Sequence, residues 1–544
     1  MKLTRLYILF LLFVCTVAKA QNTSPKHEVR AVWLTTIGGL DWPKTYAQNK
    51  STMLQQQREL TNILDKLKDA GINMVLLQTR IRATTIYPSR YEAMDACLTG
   101  NNGGNPGYDP LRFAIDECHK RGMECHAWVV TIPIGKLVSP GYKSLRAKMS
   151  DNIIKVGQEG FMNPEKSQTA TYLADICEEI TRNYDIDGIH LDYIRYPEEW
   201  KTKTPATTAR AHITHIVTTI HQRVKSLKPW VKISCSPIGK YKDLTRYSSK
   251  GWNAYSRVHQ EAQLWLKNGW MDMLLPMMYF KGNNFFPFMI DWKENSYDHP
   301  IAAGLGIYFL SPREGNWQLN DIVREMELCR QYGVGQAFFR SKFFTENNKG
   351  IYDFTKQKFY RYPALVPPLN DSHANAPQPP TNIRIEKKSS TETYITWNSD
   401  APLFNVYFCT TNPVATDKAE NLLYTRVSGN QISIPTNYLQ RYHFAVTAMN
   451  RFGQESRAAQ CGSKTSIKES PSMLPNNGEY IFLSDEILKE HDKVYAIVST
   501  TGVLLSTQTI RSNKLSIKDL NPGVYVVRAI NKKGQSVRVG FFRK

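Results

Sequence analysis

Asp187-Gly188-Ile189-His190-Leu191-Asp192-Tyr193-Ile194-Arg195-Tyr196-Pro197 decides how this chain is read. Gly188, Ile189 and Leu191 have the character of a buried strand. Asp192, Tyr193, Arg195 and Tyr196 then arrive together at its C-terminal edge. In a parallel α/β barrel that edge carries the active site, because the loops leaving the strands converge there. A carboxylate among aromatic and basic side chains suits chemistry on sugars. The plainer reading is a buried Asp–Arg pair that holds a loop.

Seven further strand patterns flank this one and alternate with amphipathic helices. They lie at 29–34, 73–78, 124–130, 231–235, 271–275, 301–307 and 334–339, so the quoted stretch is the fourth of eight. Ser51 reads as the cap of a helix that carries Leu54, Leu60, Ile63, Leu64 and Leu67 on one face and stops at Gly71. Eight strand–helix repeats with near-continuous apolar strands predict an α/β fold, a (β/α)8 TIM barrel spanning 26–365. A doubly wound sheet would carry a Gly-rich phosphate turn after its first strand, which Gly38-Gly39 does not supply.

Beyond the barrel the composition changes. A Pro-rich linker is expected at 366–380. Short alternating strands follow, including Thr393-Tyr394-Ile395-Thr396-Trp397 and Tyr442-His443-Phe444-Ala445-Val446, and predict a β-sandwich over 381–462. This stretch resembles fibronectin type III through Pro379-Pro380, Trp397 and the Tyr442, Phe444, Val446 alternation. A second small β-sandwich is expected over 471–544. Leu520-Asn521-Pro522-Gly523-Val524-Tyr525 and the basic end Phe541-Phe542-Arg543-Lys544 make it similar to the C-terminal sorting domains of the Bacteroidota type IX secretion route. That resemblance implies a secretion machinery as partner.

The chain begins like an export signal. Lys2 and Arg5 precede the apolar run from Leu6 to Val14, and Ala18-Lys19-Ala20 is a cleavage site before Gln21, so 1–20 reads as a signal peptide. The run is too short to span a bilayer, and no later segment is long and apolar enough. The expected location is exported: periplasm, cell surface or medium. The formal charge is +21, three of it from Lys2, Arg5 and Lys19, which leaves +18 after cleavage. Such a charge favours an anionic partner such as an acidic glycan. Nucleic acid is not expected, because no concentrated Lys/Arg block is present. Nine cysteines show no paired C-x-x-C spacing, so no zinc site is expected; Cys409 and Cys461 share one β-region and their pairing is left open.

The barrel region resembles the glycosyl hydrolase-like family 10. The likeness rests on Glu28-Val29-Arg30-Ala31-Val32-Trp33-Leu34, on Asn73 to Arg80, on His126-Ala127-Trp128 and on Met162-Asn163-Pro164. It continues through Asp187 to Tyr193 with Tyr196-Pro197, and through Asp272 to Tyr279. Two departures stand out: a single Asp192 precedes Tyr193 where the family often has paired acids, and Met277 replaces a Gln. The resemblance implies cleavage of a glycosidic bond in an oligo- or polysaccharide; the ends of the fifth and sixth strands supply no acid, so a non-catalytic glycan-binding or cell-surface adhesion protein on the same barrel stays open.

Such cleavage uses two carboxyls. Asp192 is the first, as nucleophile or stabilising acid. The second is sought among the loop acids Asp41, Glu165, Glu198 and Asp291, with Glu165 and Asp291 the leading pair. Aromatic faces for sugar stacking are expected from Trp42, Trp128, Tyr193, Tyr196, Tyr279 and Tyr308. Gln78, Arg80, His126, Asn163, His190 and Arg195 are expected to meet hydroxyl or carboxylate groups. Neither a metal nor a cofactor is expected.

Overall fold

Strands buried on both faces need cover on both sides, and a closed parallel barrel ringed by helices provides it. A computed structural model describes residues 24–247, 249, 251–369, 374–461, 473–499, 503–531 and 536–544. The expected signal peptide lies outside the described residues. Eight strands form one sheet: β1 (Arg30–Leu34), β2 (Met74–Arg80), β3 (Glu124–Val130), β4 (Gly188–Asp192), β5 (Lys232–Cys235), β6 (Met273–Leu274), β7 (Ala302–Leu305) and β8 (Gly335–Phe339). Their order is β7-β8-β1-β2-β3-β4-β5-β6. Parallel bridges Leu274–Ile301 and Met277–Gly304 join β6 back to β7 and close the cylinder. This is the (β/α)8 barrel.

The period of two sorts side chains cleanly. Val32, Leu34, Val75, Leu77, Ile189, Leu191 and Ile233 point outward to the helices. Ala31, Trp33, Met74, Leu76, Trp128, Met273 and Ala337 fill the interior. The helix after β1, α1 (Lys50–Asp69), is capped by Asn49 rather than Ser51. The Asn49 side chain accepts from the Thr52 amide at 3.0 Å, and the Thr52 hydroxyl accepts from the Asn49 amide at 3.0 Å. This reciprocal pair satisfies two free amides and starts the helix early. Between β3 and the helix α2 (Ser167–Asn183) an excursion forms a three-stranded antiparallel sheet from Pro133–Lys136, Ile153–Val156 and Glu159–Met162.

After the barrel come β9 (Thr381–Lys387), β10 (Glu392–Asn398), β11 (Leu403–Cys409), β12 (Leu422–Val427), β13 (Gln431–Pro435), β14 (His443–Met449) and β15 (Ala459–Gln460). They make two antiparallel sheets, β9-β10-β13 and β12-β11-β14-β15, around Ile395, Trp397, Phe404, Val406, Phe444 and Val446. Cys409 and Cys461 are both free thiols. The start of the expected linker is packed rather than loose: Val366 joins the barrel interior, and the Leu369 amide bonds the Phe452 carbonyl at 2.8 Å. The barrel and this sandwich belong to one compact unit ending at Gly462; a second unit begins at Ser463. The second unit pairs Tyr480–Phe482 with Lys514–Ser516 and builds a four-stranded antiparallel sheet around Tyr495, Ile497, Val527 and Phe542. Among the described residues, no helix is long and apolar enough to cross a membrane.

Candidate active site

Alternation along three neighbouring strands stacks the barrel interior in tiers. β3 turns Glu124, His126 and Trp128 inward; β4 turns Gly188, His190 and Asp192; β5 and its extension turn Lys232, Ser234 and Ser236. Asp192 therefore stands in the top tier, at the C-terminal end. Its Oδ1 accepts from the Ser236 hydroxyl at 2.9 Å and from the Tyr193 amide at 2.8 Å. Its Oδ2 accepts from the Trp128 indole at 3.1 Å. Three donors and no acceptor describe a site built for a carboxylate. Burial pushes the Asp192 carboxyl above its ordinary value; the Arg195 charge and these hydrogen bonds pull it back only in part.

Tyr193 has φ +52°, in the left-handed region that a bulky residue rarely adopts. That bend throws its ring outward, 37% exposed, where it lies 4.5 Å from the Arg195 guanidinium. Arg195 is itself buried, bonds Glu198 at 2.5 Å and keeps a buried Nη1 without a partner among the described residues. Exposed Trp252 lies 5.7 Å from the same guanidinium. Around the mouth, Tyr279 packs at 5.8 Å from Tyr308 and 5.5 Å from Phe339. Burial raises the Tyr279 hydroxyl well above the usual phenol range, and the Asp192 charge adds to the rise. Asp192, Trp128, Ser236, Tyr193, Arg195, Glu198, Tyr279 and Tyr308 thus gather at one end of the barrel.

Other expected site residues sit elsewhere. His126 is in a lower tier, fully buried, with Nε2 3.0 Å from Glu124. His190 fills the middle tier: its Nε2 accepts from the Trp33 indole at 3.1 Å, and its Nδ1 lies 2.9 Å from the Ser234 hydroxyl. Burial, with His126 nearby, drives His190 down to about 3, so the ring is neutral and carries its proton on Nδ1. Arg80 is also sealed. It pairs with Glu92 at 2.6 Å and donates to the Val130 and Thr131 carbonyls, tying β2 to the end of β3. Trp42 is core, its indole bonded to the Gln56 carbonyl at 2.8 Å. Tyr196 is buried, stacked on Trp200 and bonded to His212 at 3.0 Å. All five are buried, and apart from the His126 Nδ1, which is buried without a partner among the described residues, their polar atoms hold strand ends or helices.

Gln78 holds the β1 loop by accepting from the Thr36 and Ile37 amides at 2.9 and 2.8 Å. Asn163 accepts from the Glu165 amide at 3.0 Å. The Glu165 carboxylate takes hydroxyl hydrogen bonds from Thr202 and Thr204, both 2.6 Å, which outweigh its burial and lower its pKa. Asp291 lies within the helix Phe286–Glu294 and bonds Gln263 of the preceding helix, in the outer ring. Asp41 is buried in an ion pair with Arg340. Of the loop acids, Glu198 is the one tied to the arginine that acts on Asp192.

Three contributors carry weak signals in the sequence. Ser236 is not an acid, although its inward parity with Lys232 and Ser234 is visible there. Phe339 ends β8 at the mouth. Trp252 lies in a long loop with no periodic signal.

The matching family model is that of glycosyl hydrolase-like 10, over residues 28–210 and 203–305. The chain belongs to this family. Among its relatives is glycosyl hydrolase YngK of Bacillus subtilis, 26% identical over 502 residues, which cover 83% of this chain and 96% of that protein. Glycosyl hydrolase DigH of Escherichia coli is 27% identical over 295 residues, 48% of this chain and 66% of that one. Among solved structures, the glycoside hydrolase domain of PgaB from Bordetella bronchiseptica aligns with TM-score 0.42 and 11% identity, over 61% of this chain and 98% of that one. Alpha-L-fucosidase isoenzyme 2 from Paenibacillus thiaminolyticus gives 0.42 and 11%, over 93% of each chain.

Proposed function

We propose that this family member hydrolyses glycosidic bonds of an oligo- or polysaccharide at the C-terminal mouth of its barrel. The observation that carries the reading is Asp192, a buried carboxylate met only by donors, beside exposed aromatic rings and an arginine with a free donor. In glycoside cleavage positive charge builds on the sugar ring, and a fixed carboxylate below it stabilises or attacks that centre. A second carboxyl must move the proton. Glu198 is the proposed partner, because it is 38% exposed at its side chain and shares Arg195 with Asp192. Tyr193, Tyr279, Tyr308 and Trp252 offer rings for stacking on sugars.

The basic chain favours an anionic glycan, with cell-wall strands and acidic dietary or host glycans as first substrates to try. Export is part of the proposal and rests on the N-terminal pattern. The three-plus-four strand order of 381–462 supports a fibronectin type III-like module, and the sorting role of the last unit rests on its sequence resemblance.

Product analysis on a glycan panel that includes peptidoglycan strands without stem peptides tests the reading. Cleavage lost in both Asp192→Asn and Glu198→Gln is expected. Binding without cleavage by the unaltered protein would replace the enzyme by a glycan-binding barrel.

A further inference from the structure

The barrel's opposite end is closed by a residue from the sandwich. Arg426 ends its climb along β12 with φ +53° and inserts a buried guanidinium into the N-terminal floor. There it pairs with Glu124 at 3.2 Å and with Asp187. Glu124 also takes Lys232 at 2.6 Å, and Asp187 takes His119 and the Cys125 amide, each at 2.8 Å. Gly188 leaves room for this cluster, since a Cβ there would stand 2.4 Å from the His126 ring. The fit extends around Arg426: the Gly122 position, where a Cβ would lie 2.1 Å from the Thr425 carbonyl oxygen, and Lys68, whose ammonium meets the Thr425 hydroxyl at 3.3 Å.

The floor and the candidate acid are two ends of the same three strands. Glu124 and Lys232 start β3 and β5, and Asp187 immediately precedes β4; Trp128 lies two residues before the end of β3, Asp192 ends β4 and Ser236 directly follows β5. A strand has a fixed rise per residue, so a displacement at its start is carried towards its far end. Trp128 and Ser236 are also the side chains that hydrogen-bond Asp192.

We infer that the sandwich is a structural part of the barrel's active end and that its Arg426 is a positioning residue, which sets the Trp128–Asp192–Ser236 arrangement through the floor. The partner of this face of the sandwich is the barrel itself, not a glycan. The inference draws on the proposed function only for the importance of Asp192, and its readouts need no substrate.

The test uses the full chain labelled with 5-fluorotryptophan. Of the 11 tryptophans, the line lost in Trp128→Phe is assigned to Trp128. Because this indole donates to Asp192, its fluorine shift follows ionisation of that carboxyl with pH, and Asp192→Asn must abolish the titration. Arg426→Leu is expected to lower the melting midpoint by about 3–5 °C and to move the Trp128 inflection by about half a pH unit or more. Arg426→Lys should restore part of both. A lowered midpoint with an unaltered Trp128 titration overturns the positioning role. An unaltered midpoint overturns the floor clamp. Should Arg426→Leu not fold, Arg426→Lys and Glu124→Gln carry the same two readouts. Absence of glycan cleavage by the unaltered protein would defeat the proposed function and leave these results standing.

Discussion

Asp187, just before β4, and Asp192, at its end, stand five residues apart and are both buried, yet they are opposite kinds of acid. Asp187 is also desolvated, but the charges of Arg426 and His119 overwhelm the burial and hold its carboxyl far below the ordinary range. Asp192 has neutral donors in contact and one cation at a distance, and burial prevails. The difference teaches that depth alone does not set the character of a buried carboxylate; the charge of what touches it does. A fully ion-paired acid has no unspent field for a ligand. One held by an indole, a hydroxyl and an amide keeps its field for whatever enters the mouth.

The largest expected effects come from exchanging each aspartate for its amide. Asp192→Asn should cut glycan turnover about 10³-fold or more, because an isosteric amide keeps the shape and loses the charge that meets the transition state. Its melting midpoint should fall less than that of Asp187→Asn, since Asn keeps a carbonyl for the Trp128 indole and can donate to the Ser236 hydroxyl, which leaves only the Tyr193 amide opposed by a donor. Asp187→Asn should do the reverse. It leaves Arg426 and His119 short of a counter-charge in a buried place and should cost about 3 kcal/mol of stability, with turnover per folded molecule changed less than about tenfold. Paired denaturation and kinetic assays read both. Equal losses of turnover in the two variants would erase the distinction between the ends.

A pH series sharpens the same contrast with a smaller effect. Glu124 is drawn down to about 2 because Lys232, the His126 hydrogen bond and Arg426 outweigh its burial. Its stabilisation is complete above the ordinary 4.5 and is lost as pH falls from there towards 2, since the unfolded chain takes the proton first. Asp192 has the opposite sign. Its carboxyl is raised, so folding loses stability as pH climbs through the ordinary value of 3.8 to the raised one. Glu124→Gln should therefore flatten the acid limb of a plot of melting midpoint against pH, and Asp192→Asn should steepen it. His119 titrates at the other side: Asp187 raises its pKa against burial, so its contribution is full below 6.5 and fades as pH rises through the raised value. Loss of the upper-limb slope in His119→Gln would be the check.

These contrasts also mark what is legible in the sequence. All eight strands were legible because burial on both faces leaves near-continuous apolar runs, and period-two counting put Asp187 at the start of β4 and Asp192 at its end. The polar interior was not. Arg80, His126 and His190 look from sequence like binding residues, since a polar side chain on a strand carries no mark of whether a ligand or another strand satisfies it. Arg80 is spent on Glu92, twelve residues on, and His190 on Trp33, far back in the chain. Arg426 was invisible for the same reason at greater range: it meets Asp187 across 239 residues, and its own strand gives no sign that one arginine leaves the sandwich sheet for the barrel.

The smallest expected effect isolates burial as the cause. Arg451, also from the sandwich, reaches Asp185 with contacts of 2.8 and 3.0 Å, two residues from Asp187 on the same approach to β4. By geometry this pair looks as sound as the one below the barrel. Its side chains, however, are 34% and 49% exposed, whereas those of Arg426 and Asp187 are each 8% exposed. Water already solvates both charges at Asp185, and salt screens what attraction remains. Arg451→Ala should cost less than about 0.5 kcal/mol, and that cost should vanish in molar salt. The loss in Arg426→Leu should persist there, because a buried pair is screened far less. Chemical denaturation in urea, at low and high sodium chloride, separates the two. If Arg451→Ala proved as damaging as Arg426→Leu, the sandwich would be held by its rim, and the floor cluster would lose its claim to govern the strand that carries Asp192.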